Sequence, residues 1–129
     1  MPMRDALRIL IADDMSTSRG LLLQALDTLG LPEVVQATDG LQALELALSE
    51  KPDLVLSDLH MPGLDGLELL QGLRTDARTR ATPFALITAR VDTATLQAAE
   101  ALGMRAVLSK PYTPAQLRDC IEAAIGPLG

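Results

Sequence analysis

Leu7-Arg8-Ile9-Leu10-Ile11-Ala12-Asp13-Asp14 is a short, nearly continuous apolar run that stops abruptly at two carboxylates. A strand with one wet face alternates apolar and polar residues, whereas a parallel strand covered on both faces does not. Residues 7–12 therefore predict a buried parallel strand with Asp13-Asp14 at its C-terminal end. The pattern returns along the chain. Residues 53–57 form a second such run and end at Asp58, residues 83–87 end at Thr88, and residues 105–108 lead into Ser109-Lys110-Pro111. A shorter strand is expected at residues 33–37.

Helical spacing fills the gaps. Leu22, Leu26 and Leu29 recur at helical intervals within residues 16–29, Ser16 is placed to cap the start, and Gly30 follows the last turn. Asp39-Gly40 reads as a turn, and Leu41, Leu44, Ala47 and Leu48 mark a second helix that stops before Pro52. Pro62 and Gly63 break residues 59–63 into a loop, after which Leu67, Leu70 and Leu73 define a third helix with Asp65-Gly66 at its start. Residues 92–102 form an alanine-rich, weakly amphipathic fourth helix closed by Gly103. Leu117, Cys120, Ile121 and Ala124 give the last helix a clean apolar face. Alternating strands and helices predict an α/β domain with a parallel sheet covered on both faces.

The 129 residues fit one domain, core about 7–125, and leave no room for a second. Eleven basic and seventeen acidic residues give a net charge of −6, which disfavours nucleic acid and anionic membrane as partners. With Phe84 and Tyr112 as the aromatics and no Trp, the core must be aliphatic and a base-stacking platform is excluded. One cysteine, Cys120, excludes an internal disulfide and a cysteine-built zinc site, and its place on a core face suits a small buried hydrophobe. No secretory leader pattern or run approaching the ~18 apolar residues of a membrane span is present. A cytoplasmic protein is expected, without membrane insertion.

Ligand sites in open parallel sheets form beyond the carboxyl ends of the strands, and Asp13, Asp14, Asp58, Thr88 and Lys110 all fall on that edge. Three carboxylates drawn together repel unless a cation neutralises them, and an all-oxygen site favours a hard ion such as Mg²⁺. Lys110 adds a point charge suited to a phosphoryl oxygen, and Thr88 adds a hydroxyl donor. A carboxylate in such company can attack a phosphoryl group and become an acyl phosphate. Asp58, at a strand end and followed by a loop, is the best nucleophile. Taken singly, Asp13-Asp14 would be an ordinary helix-start pair and Lys110-Pro111 a solvated turn; the shared edge reverses that judgement.

Asp13-Asp14, Asp58 followed by Met61-Pro62 and Asp65-Gly66, Thr88-Ala89, and Lys110-Pro111 stand in the order and spacing of receiver domains of two-component response regulators, which the chain resembles from about residue 7 to 125. The first loop and the residues after Asp58 are most similar to those of the single-domain chemotaxis type. The resemblance implies a flavodoxin-like, CheY-like doubly wound (βα)5 fold with a five-stranded parallel sheet in the order 2-1-3-4-5. It implies that Asp58 takes a phosphoryl group from a phosphohistidine on a sensor histidine kinase of the CheA type. Mg²⁺ would be bound by Asp14, Asp58 and the backbone carbonyl of His60, with Asp13 acting through water. Lys110 and Thr88 would hold the phosphoryl oxygens, and movement of Thr88 would reshape a surface read by a flagellar switch component or other protein target. A phosphatase is a further implied partner, and a monomer is the expected state. The chain would be a signalling protein that catalyses only its own phosphorylation and dephosphorylation.

Three departures from the family pattern bear on function. Val107 stands where a switch Tyr or Phe is usual, so any switch is expected to run through the backbone of residues 88–92 and repacking around Val107; Tyr112 matches a different family position. His60 and Arg90, two residues after the acceptor and the threonine, replace the frequent amide and carboxylate, which predicts an altered acyl phosphate lifetime. His60 is expected at the rim rather than as a side-chain ligand. A phosphoaspartyl phosphatase is the competing enzyme reading, weakened because His60 occupies the place of its second aspartate. A phosphorelay intermediate, the receiver fragment of a longer regulator, and a receiver-like interaction module that takes no phosphate compete within the same fold.

Overall fold

The computed structural model describes residues 4–129. After a 3₁₀ turn (Arg4–Ala6), strands β1 (Ile9–Ala12), β2 (Val34–Ala37), β3 (Leu54–Ser57), β4 (Phe84–Thr88) and β5 (Ala106–Ser109) alternate with helices α1 (Ser16–Thr28), α2 (Gly40–Glu50), α3 (Gly66–Thr75), α4 (Thr93–Ala101) and α5 (Pro114–Ile125). The strands make one parallel sheet in the order β2-β1-β3-β4-β5. Every residue of β1, β3 and β4 is buried, as unbroken apolar runs demand. The outer strands β2 and β5 are only partly covered.

Two apolar clusters flank the sheet. One joins Ile9, Ile11, Leu54, Leu56 and Ile87 to α1 and α5 through Leu22, Leu26, Leu117 and Ile121. The other joins Leu10, Val55, Phe84 and Leu86 to α2, α3 and α4 through Ala43, Ala47, Leu69, Leu70, Leu73 and Ala99. Cys120 is buried, as its helical position requires. Among the described residues no helix is long and apolar enough to cross a membrane.

Local chemistry corrects several sequence expectations. Ser16 does not cap α1: the Asp13 carboxylate accepts from the Met15 amide at 3.0 Å, the turn moves the N-cap to Met15, and Ser16 becomes the first helical residue. Asp39-Gly40 is not a free turn; Asp39 caps α2 by accepting from the Gln42 amide, and Gly40 begins the helix. With Gly40, Ala43 and Ala47 facing inward, Leu41 falls on the wet side and is 57% exposed. Met15, although apolar, is 61% exposed. The weak pattern of α4 has a simple cause, since Ala99 alone is buried on it.

Candidate functional site

The register of the sheet places the polar residues. Ala12 lies beside Ser57 and Thr88 beside Ser109. The ladders then run one step further, with the Asp58 amide donating to the Ala12 carbonyl at 2.9 Å and the Lys110 amide to the Thr88 carbonyl at 3.0 Å. Asp13, Asp58, Thr88 and Lys110 therefore leave the sheet at one edge. The Lys110–Pro111 peptide is cis.

Lys110 is the centre of the cluster. Its ammonium donates to Asp58 Oδ2 at 2.7 Å, to Asp13 Oδ2 at 3.1 Å and to Ser18 Oγ at 2.6 Å. Burial pulls the Lys110 pKa down, but hydrogen bonding and attraction from Asp58, and then from Asp13, outweigh it and hold the group above its ordinary value. The cation expected to reconcile clustered carboxylates is thus supplied in part by the chain itself.

The two adjacent aspartates separate. Asp13 is buried, donated to by Met15 N and Ser18 Oγ as well as Lys110, and its main-chain carbonyl accepts from Arg19 Nη1 at 2.8 Å. Asp14 is exposed and lies outside the Lys110 network. Ser18 carries no motif of its own, and the signal that could have found it is its place in the first turn of α1, on the side that faces back to Asp13.

Asp58 is held from both sides. Its Oδ1 accepts weakly from the His60 amide at 3.2 Å, its carbonyl accepts from Ser57 Oγ at 2.7 Å, and its side chain is 12% exposed. The loop after it is anchored by buried Leu59 and Met61 and by the Gly66 amide donating to the Leu59 carbonyl at 2.8 Å. Glycine is required there, because a β-carbon on Gly66 would lie 2.4 Å from the Asp58 carbonyl oxygen and 2.9 Å from Leu59 Cα. Asp65 caps α3 in a reciprocal capping box with Glu68.

Thr88 is buried, and its hydroxyl is held by two long bonds to Arg90, donating to the carbonyl at 3.3 Å and accepting from the amide at 3.5 Å. The same carbonyl meets His60 Nε2 at 3.1 Å. A carbonyl only accepts, so Nε2 carries the ring proton. His60, Ala89 and Arg90 are exposed around the rim. Val107, opposite Leu86, is 42% exposed on the edge strand. Tyr112 lines a groove of about 640 Å³ with Met15, Leu21, Ala89 and Pro111, open to Lys110 and Ser18. Burial, and then the negative charge of Asp13, pushes the Tyr112 hydroxyl up to about 12.

Among the described residues no three His, Cys, Asp or Glu side chains are grouped as a metal would need them. The donor set fits a different kind of site. Asp14 offers an exposed carboxylate and Asp58 a second one, a donor set that in kind suits Mg²⁺, because that ion binds one or two carboxylates and keeps several waters.

Residues 9–122 match the family described as response regulator receiver domain. The chain is 39% identical over 128 residues to a probable chemotaxis protein CheY of Rhizobium etli, covering 99% of both chains. It is 34% identical to chemotaxis protein CheY-3 of Vibrio cholerae, over 90% of this chain and 89% of that one. Among solved structures, V. cholerae CheY4 superposes with a TM-score of 0.84 at 28% identity, covering 95% of this chain and 99% of that chain. The receiver domain of a Pseudomonas aeruginosa sensor histidine kinase, solved with a magnesium ion coordinated in its active site cleft, superposes at 0.83 with 28% identity over 93% of this chain and 98% of its own. With its fold, strand order and four motifs in agreement, the chain belongs to the response regulator receiver domains and is a homologue of the CheY chemotaxis regulators.

Proposed function

We propose that this receiver accepts a phosphoryl group on Asp58 from a phosphohistidine of a CheA-type sensor kinase and, as a single domain, passes the signal on by binding a protein target, most plainly in control of a flagellar motor. The observation that carries the reading is the Lys110 ammonium seated on Asp58 at 2.7 Å, where it meets charge as that charge moves to the phosphoryl oxygens.

In the transfer, an Asp58 carboxylate oxygen forms a bond to phosphorus while the phosphorus–nitrogen bond to the donor imidazole breaks, and the imidazole leaves with a proton. Lys110 keeps one N–H on the acceptor side and turns it to a phosphoryl oxygen. The hydroxyl of Thr88, weakly engaged at 3.3 Å, exchanges the Arg90 carbonyl for another phosphoryl oxygen. Asp14, Asp58 and the His60 carbonyl are the residues that would hold Mg²⁺, Asp13 reaching it through water, and the ion would neutralise the oxygens in transfer. Release of the Arg90 carbonyl frees the backbone of residues 88–92. With Val107 in place of a ring, this backbone movement and packing changes at Val107 carry the signal to the surface of α4, β5 and α5. Ala89, at the edge of the groove that holds Tyr112, moves with it.

Incubation with phosphoramidate and Mg²⁺ followed by intact-mass measurement tests the reading. The parent should gain one phosphoryl group and Asp58→Ala none. Equal gain in both, or none in the parent, overturns it.

A further inference from the structure

Ser18 is bonded to two groups of the phosphoryl site at once. Its hydroxyl donates to Asp13 Oδ2 at 2.5 Å and accepts from Lys110 Nζ at 2.6 Å, joining residues that lie 5 and 92 positions away in sequence. One O–H and two lone pairs allow both bonds together. The ammonium of Lys110 has three N–H groups, and all three are assigned, to Asp13, Ser18 and Asp58.

Resting on the phosphoacceptor reading above, we propose that Ser18 is a positioning residue that orients Lys110 for phosphoryl transfer to Asp58. An ammonium shared between two carboxylates alone can rotate and lean on either. Leaning on Asp58, it stabilises the carboxylate in its ground state and lowers its reactivity; leaning on Asp13, it leaves the transferring oxygens without a partner. The Ser18 hydroxyl fixes a second N–H on the α1 side, so that a single N–H faces Asp58 and is free to follow the charge. Because the hydroxyl is neutral, it orients the ammonium without adding a third anion to compete for it. Ser18 borders the open groove beside Lys110 and Pro111, which leaves room for a slightly larger side chain bearing the same hydroxyl.

The test compares the parent, Ser18→Ala and Ser18→Thr with phosphoramidate and Mg²⁺, reading the rate of acyl phosphate formation by mass and the ¹⁵N resonance of the Lys110 ammonium. Loss of one hydrogen bond to a charged group should slow Ser18→Ala about tenfold and shift or broaden the Lys110 signal. Ser18→Thr should restore most of the rate and the signal. An unchanged rate in Ser18→Ala while the parent is phosphorylated overturns the role of Ser18 and leaves the phosphoacceptor reading standing. Equal slowing in Ser18→Ala and Ser18→Thr with the Lys110 signal intact also overturns it, because disturbance of α1 would then be the cause. A parent that takes no phosphoryl group brings down both.

Discussion

Gly66 shows how one residue fixes the backbone around Asp58. The first turn of α3 packs directly on the backbone that follows β3, and the nearest atoms to a β-carbon at Gly66 are main-chain atoms of Asp58 and Leu59, which cannot move aside as a flexible side chain could. Gly66→Ala should therefore push the Asp58 loop outward and destabilise the fold by about 2 kcal/mol, the usual scale of overpacking. Urea denaturation measures the loss, and phosphorylation with a small donor should slow in parallel. A variant as stable and as reactive as the parent would show that α3 can retreat from the loop. The Asp65-Gly66 pair was visible in the sequence as a helix start, but the need for glycine was not. It arises from a close approach between two segments of backbone that only the fold brings together.

At the scale of elements, two loops share one carbonyl. The loop after β3 contributes His60 Nε2 and the loop after β4 contributes the Thr88 hydroxyl, and both reach the carbonyl of Arg90, at 3.1 and 3.3 Å. On the proposed phosphoacceptor reading, His60 tethers the segment that Thr88 would release, and Arg90 is exposed beside it. His60→Asn and Arg90→Glu should each change the acyl phosphate lifetime by a few-fold or more, followed by mass after removal of the donor; lifetimes equal to the parent's would remove both residues from control of hydrolysis. Sequence reading placed His60 at the rim but could not supply its contact with the Arg90 carbonyl, which spans 30 positions. The central strands were legible because burial on both faces leaves an unbroken apolar run. Helix ends were less so, because Asp13 and Asp39 redirect the chain through side-chain bonds to nearby amides. The division between buried Asp13 and exposed Asp14 was equally hidden, since neighbours of identical type differ only in direction.

For the molecule as a whole, three groups whose protonation bears on alkaline stability, Lys110, Tyr112 and Cys120, lie on or next to α5. Burial pushes the Cys120 thiol up to about 11, and burial together with the charge of Asp13 pushes the Tyr112 hydroxyl up to about 12. Lys110 is also raised, its carboxylate partners outweighing its burial. A raised pKa in the folded state means that the native protein keeps its proton at a pH where the unfolded chain has already lost it. The corresponding stability is full below the unfolded values and falls as pH rises toward the folded ones. For Cys120 the window runs from the ordinary thiol value of 9.0 to about 11. The acid-side shift of Asp76, held down to about 2 by hydrogen bonds from Arg78, belongs to a surface pair and contributes little once solvent screens it. Stability should accordingly stay nearly level through neutrality and decline from about pH 9 upward. Urea unfolding at pH 7, 9 and 10.5 checks the slope. Cys120→Ala separates the thiol from the rest: it will be less stable at every pH through the small cavity it leaves, but its decline between pH 9 and 10.5 should be shallower than the parent's. Parallel curves for the two proteins would show that the buried thiol takes no part, leaving the alkaline loss to Lys110 and Tyr112.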